Sequence, residues 1–249
     1  MNELQRGIVN IRLDLIHRFR GDRFDFHGAR IRVPKSISKS IRRKLLLDGA
    51  YETEEVEFVE RYVEPGMDVI EFGGSIGAVA SLIATRLGAG DSQYVVEASS
   101  ELAELCRANV ESNATDAHHV EVLHRAVSYN GTGVVRFATG RNAHIGHIAR
   151  DGEEANEVPA TTLSDVAAQL EDGRAFVFVC DIEGGEYDLF EKDLASVQKA
   201  KLSIVEFHPQ DVEGRPVDIE AFLQTLPAKG LKVLEFRNDV AVIAPISAG

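Results

Sequence analysis

The order of apolar and polar residues divides the chain into a helical start and an alternating body. In residues 4–19, Ile8, Ile11, Leu15 and Phe19 recur at helical spacing, which predicts an amphipathic helix ended by Arg20-Gly21-Asp22. Residues 25–33 alternate as a short strand or hairpin that Pro34 closes, and residues 36–47 read as a second helix. Residues 52–62 make a clearer helix, with Val56, Val59 and Tyr62 on one side and glutamates elsewhere; Pro65-Gly66 then punctuates the chain.

From that point strand and helix alternate. Apolar-rich runs ending at Phe72, Glu97, Leu123, Cys180 and Phe207, fully apolar from Ala175 to Cys180, predict strands, and residues 100–113 and 163–170 predict helices. Residues 134–138 add a strand after the turn Asn130-Gly131-Thr132-Gly133. Residues 141–156 are polar, with two histidines, and read as a loop or broken helix. Residues 219–226 are helical, and residues 231–236 and 240–244 form a closing hairpin around Asn238-Asp239. Uninterrupted apolar strands separated by helices imply a mostly parallel sheet covered on both faces, and the hairpin adds an antiparallel edge strand.

Composition narrows the class. At 249 residues the chain can form one large α/β domain, alone or with an extension, and its 44% hydrophobic content is ordinary for a soluble protein. No apolar run reaches the roughly 18 residues of a spanning helix, and the first residues lack the apolar region of a secretory signal, so a cytoplasmic location is expected. Cys106 and Cys180 have no metal-ligand spacing and are poor disulfide partners.

Charge changes the picture more. Residues 1–50 carry 12 Lys+Arg against 5 Asp+Glu, or +7, and the rest carries 15 against 35, or −20, giving −13 in all. The plainer reading is that this basic segment packs on the acidic body; contact with an anionic partner, substrate or membrane surface is the alternative. A nucleic-acid role is not expected, because the body is acidic and no aromatic-basic RNA-binding motif is present. The narrow apolar face of the first helix suggests packing rather than a dimer contact or a membrane surface.

The densest chemistry lies at Glu71-Phe72-Gly73-Gly74-Ser75-Ile76-Gly77, where a strand, an acid and a glycine turn lead into a helix. Such a turn is expected to bring bare backbone and helix N-terminal amides to a ligand. The glycine spacing does not fit the dinucleotide fingerprint Gly-x-Gly-x-x-Gly. Glu71 also suits a cationic adenosine cofactor, S-adenosylmethionine, better than the phosphates of NAD. Glu97, 24 residues after Gly73, stands where a ribose-binding acid is expected. A third strand end, Cys180-Asp181-Ile182-Glu183-Gly184-Gly185-Glu186, carries enough carboxylates to suggest a site rather than a helix cap.

These segments occur in order with Val96-Glu97-Ala98, Ala126-Val127-Ser128 and Thr162-Leu163-Ser164-Asp165, and together they resemble the FkbM family of S-adenosylmethionine-dependent methyltransferases. Tyr51-Glu52 and Val205-Glu206-Phe207-His208 are similar to that family too. The likeness covers about residues 50–245 and departs at Glu71 and Ser164, where aspartate is common, and at Cys180, where lysine is common. It implies a Rossmann-like class I methyltransferase fold: a mostly parallel seven-stranded sheet with an antiparallel edge strand and an N-terminal helical extension. Residues 1–50 would be that basic extension and residues 51–249 the catalytic domain. It also implies O-methylation of a sugar, glycan or secondary-metabolite hydroxyl, with Glu71, Gly73, Gly74, Ser75, Gly77, Glu97, Ala98 and Ala126 on the cofactor.

An alcohol acceptor needs a base or a metal. Asp181 and His208 are the first candidates for catalysis, ahead of His144 and His147. Glu183, Glu186, Glu206 and His144 are candidates for an acidic or substrate-binding cluster. Mg²⁺ is a weaker expectation, with Asp181 and Glu183 its first ligand candidates and Glu186 and Glu206 further ones. The expected partner is a small-molecule or glycan substrate, with a homo-oligomer through the extension also open. The rival classes are an NAD-dependent oxidoreductase and a catalytically silent cofactor-binding scaffold. Residues 1–50 and 139–157 are expected to wall the acceptor pocket.

Overall fold

Val69 and Ile70 are neighbours on one strand, yet they belong to different cores, because successive side chains of a strand point to opposite faces. The computed structural model describes residues 3–48, 51–115, 117–139, 146–149, 153–171, 174–182, 184–209, 211–212 and 215–246. The chain begins with helix α1 (Glu3–Arg20), hairpin β1 (Arg23–Phe26) and β2 (Ala29–Arg32), and the short α2 (Lys39–Arg43), which runs into a wider turn over Lys44–Asp48. Then follow α3 (Thr53–Tyr62), β3 (Asp68–Phe72), α4 (Ala78–Arg86), β4 (Ser92–Glu97), α5 (Ser100–Glu111) and β5 (His119–His124). A peripheral group comprises β6 (Ala126–Val127), β7 (Val134–Thr139), β8 (Gly146–Ile148) and β9 (Asn156–Thr161). The chain returns through α6 (Leu163–Ala167), β10 (Phe176–Cys180), α7 (Glu186–Lys192), α8 (Leu194–Val197) and β11 (Leu202–Glu206). A two-residue ladder of β12 (Asp211–Val212) and β13 (Arg215–Pro216), α9 (Ile219–Leu223) and the hairpin β14 (Leu231–Arg237) and β15 (Val240–Pro245) complete it.

The main sheet has seven strands in the order β14-β15-β11-β10-β3-β4-β5. Strands β11, β10, β3, β4 and β5 pair in parallel, and β15 pairs antiparallel with both neighbours. The chain starts in the middle at β3, runs outward to β5, then returns to β10 beside β3. That reversal leaves a crevice beyond the carboxyl ends of β3 and β10, where open α/β sheets bind ligands. One face of the sheet packs Val69, Val177, Val179 and Ile204 against α3, α4 and the β1–β2 hairpin. The other packs Ile70, Phe72, Phe178 and Val205 against Leu163, Leu189, Phe190 and Leu223. Phe178 is fully buried at its centre, and truncating such a side chain to alanine costs about 3–5 kcal/mol.

The opposite, amino-terminal end of the sheet is tied by charge. The Arg174 guanidinium lies 3.0 Å from Asp68 and 2.7 Å from Asp91, both buried, at the starts of β3 and β4. Asp91 also accepts the Gly66 and Gly88 N–H groups at 2.9 and 2.7 Å, and Asp68 accepts the Ser92 N–H at 2.7 Å. The loops entering these strands are thereby fixed.

Two sequence expectations change. The polar stretch before Asn156 is not simply a loop or broken helix: Gly146–Ile148 is a strand paired with β7, in a four-stranded sheet of order β6-β9-β7-β8. Helix α1 forms as expected, but with the opposite orientation. Leu13 and His17 are buried and Ile16 packs on the core, whereas Ile8, Ile11, Leu15 and Phe19 face outward. Periodicity identified an apolar stripe but not what covers it.

The β1–β2 hairpin is attached to α5 by amide pairing. Asn109 accepts the Arg32 N–H at 2.7 Å and donates to the Arg32 and Ile76 carbonyls at 3.0 and 2.7 Å. One turn on, Asn113 accepts the Arg30 N–H at 2.7 Å and donates to its carbonyl at 2.8 Å. Asn109 within α5 and Asn113 just past its end thus match residues two apart on a strand edge, and the side-chain amides take the place of a neighbouring strand.

Candidate functional site

The glycine turn joins β3 to α4 in a strongly constrained path. Gly73 and Gly77 have φ of +94° and +77°, a region that favours glycine. A Cβ on Gly73 would lie 1.7 Å from the Asp181 carbonyl oxygen, one on Gly74 2.5 Å from Val95 Cγ1, and one on Gly77 2.8 Å from Cys106 Cα. The space left by the missing side chains is therefore filled by β10, β4 and α5. The turn is thus closed on the side each Cβ would take, while Gly73 and Ser75 stay half-buried.

The turn's amides are also engaged within the protein. The Gly73 and Gly74 N–H groups donate to the Val96 carbonyl at 2.9 and 3.1 Å, and the Gly77 N–H donates to the Gly74 carbonyl at 2.7 Å. The Ser75 N–H donates to Glu97 Oε2 at 2.7 Å. Four amides that could cradle a pyrophosphate in a dinucleotide site thus have other partners.

Carboxylates take over the chemistry. Glu97, at the end of β4, also accepts the Ser99 N–H on Oε1 at 2.7 Å. Burial pushes its carboxyl up to about 7, against the opposing effect of the Ser99, Ser75 and Ala98 N–H groups. Glu71, one residue before the end of β3, is buried and raised to about 8, mainly by burial and then by the charges of Asp181 and Glu97. Its Oε2 has no hydrogen-bond partner among the described residues. Glu55, on α3, is buried too and is raised well above the usual range by burial and by Asp181, Glu71, Glu52 and Glu206. An orphaned, buried carboxylate oxygen surrounded by like charges fits a cationic ligand such as S-adenosylmethionine and opposes an anionic one.

Beyond β10 and β11 a histidine joins the acids. His208 Nδ1 lies 3.0 Å from Glu186 Oε1, and its Nε2 lies 3.6 Å from Asp181 Oδ1 and 3.8 Å from Glu206 Oε1. Glu186, expected in an acidic or substrate-binding cluster, is fully buried at the start of α7 and also accepts the Gly184 N–H at 3.1 Å. Carboxylate oxygens thus stand opposite both ring nitrogens of His208, Glu186 at Nδ1 and Asp181 and Glu206 at Nε2. Among the described residues, Glu52, Asp181 and Glu206 also bring one carboxylate oxygen each within 4.8 Å of one another. Acidic side chains adopt that spacing with and without a cation.

The Ala98 carbonyl lies 3.1 Å from His124 Nε2, and Ala126 packs with Val135 and Val158 under the peripheral sheet. Cys180 is buried among apolar side chains, and burial pushes its thiol well up, so it stands neutral where the family often carries lysine. Glu183 and His144 lie outside the described residues, and so does the side chain of His147. Sequence reasoning gave no site role to Glu52 or Glu55, although their separation by three positions puts both at the start of one helix. Tyr51, buried beside them, is raised by burial and by the Glu52 charge.

The sequence matches the methyltransferase FkbM domain over residues 68–233, more than half of its length. The chain belongs to the FkbM methyltransferase family. That membership favours the methyl donor over the dinucleotide reading and makes S-adenosylmethionine the cofactor. Among solved structures, this FkbM chain is similar to a human methyltransferase 10 domain containing protein, at 12% identity and a TM-score of 0.48, covering 97% of this chain and 96% of that one. It is similar to a SAM-dependent methyltransferase from Aquifex aeolicus at 14% identity and a TM-score of 0.44, covering 79% and 93% of the two chains. A putative RNA methyltransferase from Pyrococcus horikoshii is similar at 10% identity and a TM-score of 0.44, covering 80% and 85%. A search of curated proteins found no significant match. No helix among the described residues is long and apolar enough to cross a membrane.

Proposed function

We propose that this methyltransferase acts on a hydroxyl of a sugar, glycan or secondary metabolite, with His208 as the general base. The observation that carries the reading is the His208 imidazole held at Nδ1 by buried Glu186, with Nε2 facing Asp181 and Glu206. When bound, S-adenosylmethionine supplies a methyl group already activated on a sulfonium. The chain has then to hold both reactants in line, exclude water and accept one proton.

Glu97 offers its remaining lone pairs to the ribose hydroxyls while its N–H contacts keep the glycine turn in shape. Glu71 and Glu55 would hold the cationic part of the cofactor, and Gly73 lets the end of β3 approach that of β10. On the acceptor side, His208 Nε2 takes the hydroxyl proton as the oxygen attacks. Asp181 and Glu206 then stabilise the imidazolium, and Glu186 keeps the ring from turning.

The test is methyl transfer from labelled S-adenosylmethionine to a panel of free sugars, glycans and hydroxylated metabolites, beside calorimetry with S-adenosylhomocysteine. Cofactor binding with label on an oxygen supports the reading. Binding without transfer to any acceptor favours a catalytically silent scaffold, and label on nitrogen or carbon rejects O-methylation.

A further inference from the structure

Helix α1 exposes a continuous apolar stripe. Ile8, Ile11, Leu15 and Phe19 are 51%, 62%, 46% and 80% exposed. At about 100° per residue they occupy a band roughly 80° wide and about 16 Å long. Leu13 and His17, on the far side of the helix, are buried against the body, and His17 meets Phe24 edge-on at 5.6 Å. The helix is therefore anchored through one face and presents the other outward. Arg18 and Arg12, both exposed, fall at the two edges of the band.

We propose that this stripe seats on an anionic lipid surface. The apolar side chains would enter the boundary between headgroups and acyl chains, with Arg12 and Arg18 reaching the lipid phosphates. The charge distribution selects this occupant. The first 50 residues carry +7 and the remainder −20, so an anionic plane attracts the extension and repels the body, which fixes which side of the molecule faces the lipid. A second copy meeting through the same stripe would bring two +7 segments together. A nucleic acid would match the arginines and leave four large apolar side chains without partners.

Vesicle flotation tests the inference with the full chain. Vesicles of phosphatidylcholine alone are compared with vesicles containing about a third phosphatidylglycerol, at low and high salt. The expected result is flotation with the anionic vesicles, reduced at least about tenfold on neutral ones or at high salt. Phe19→Glu should remove it, and the double change Arg12→Glu with Arg18→Glu should reduce it by a similar factor, with circular dichroism and melting temperature unchanged. Ile11→Ser is a second, milder probe of the stripe. Flotation with neither vesicle, or flotation that Phe19→Glu leaves intact, overturns the proposal. A concentration-dependent dimer in sedimentation velocity that Phe19→Glu abolishes would then assign the stripe to self-association.

Discussion

Gly73 and Asp181 approach so closely that a Cβ on the glycine would fall 1.7 Å from the Asp181 carbonyl oxygen. The Asp181 N–H donates to the Phe72 carbonyl at 2.9 Å, so the ends of β3 and β10 are joined at the point where the glycine turn begins. Gly73→Ala meets both a backbone clash and a φ of +94°. It should destabilise the fold by about 3 kcal/mol or more. Gly28→Ala is the control: its φ is +89° but the space around it is open, so only strain of about 1 kcal/mol is expected. Equal melting temperatures for the two variants would contradict the close approach.

His208 and Glu186 should separate chemistry from binding. His208→Gln is expected to lower turnover by about 10²-fold or more, with affinity for S-adenosylhomocysteine within about threefold of wild type. Glu186→Gln should give a smaller loss in kcat with little change in KM, because the amide can still accept from Nδ1 without the charge. If His208→Gln retains full turnover, the base lies elsewhere.

Much of this arrangement was legible in the sequence, for a physical reason. Strands buried on both faces must be apolar throughout, so the run from Phe176 to Cys180 declared itself, as did the acids that follow such strands. The glycine spacing marked the turn but not its packing, because sequence does not show which atoms fill the space a glycine leaves. Glu186 looked like one acid among several, and its burial beside His208 depends on α7 packing onto the sheet. The pairing of Asn109 and Asn113 with β2 joins residues more than seventy positions apart, so no local pattern could announce it. Helix α1 showed its periodicity but not its orientation, since a periodic stripe reads the same whether protein or another surface covers it.

Glu97→Gln should disturb the glycine turn. Both carboxylate oxygens accept backbone N–H groups at 2.7 Å, and a glutamine must turn its NH₂ toward one of these donors. The unsatisfied amide costs about 1–3 kcal/mol, so a lower melting temperature and at least about tenfold weaker binding of S-adenosylhomocysteine are expected. Binding equal to wild type would remove Glu97 from the cofactor site.

Stability without cofactor should fall as pH rises from about 5 to 8. Glu71 titrates at about 8 in the fold against 4.5 for the free side chain, so the unfolded chain releases its proton first. The native state is then favoured below pH 4.5 and loses that advantage until Glu71 ionises near pH 8. The size is a few kcal/mol, of the order of the shift itself. Glu97, at about 7, acts in the same direction over a shorter range. Glu71→Gln should flatten the profile of melting temperature against pH. S-adenosylmethionine should stabilise the protein more at pH 8 than at pH 6 by about 1 kcal/mol or more, because a cation favours the ionised carboxylates. A profile that Glu71→Gln leaves unchanged would show that Glu71 does not hold its proton in the fold.

Turnover should survive removal of divalent cations. With His208 accepting the proton, dialysis against a chelator is expected to change the rate by less than about twofold. A loss restored by Mg²⁺ would instead assign the Glu52, Asp181 and Glu206 oxygens to a bound ion.

The two ends of the sheet handle their acids in opposite ways. At the strand starts, Asp68 and Asp91 share the Arg174 guanidinium, whereas at the strand ends Glu55, Glu71, Asp181 and Glu206 lie within one another's fields. Among the described residues the molecule is therefore lopsided along its strands, with acids paired to a guanidinium at one end and, at the other, acids whose crowding and burial push Glu55 and Glu71 toward keeping their protons. A cofactor that arrives with a sulfonium charge and leaves as a neutral thioether is drawn in more strongly than its product is retained. At the proposed site, the burial of like charges would thus give the catalytic cycle a direction, favouring exchange of spent cofactor for fresh.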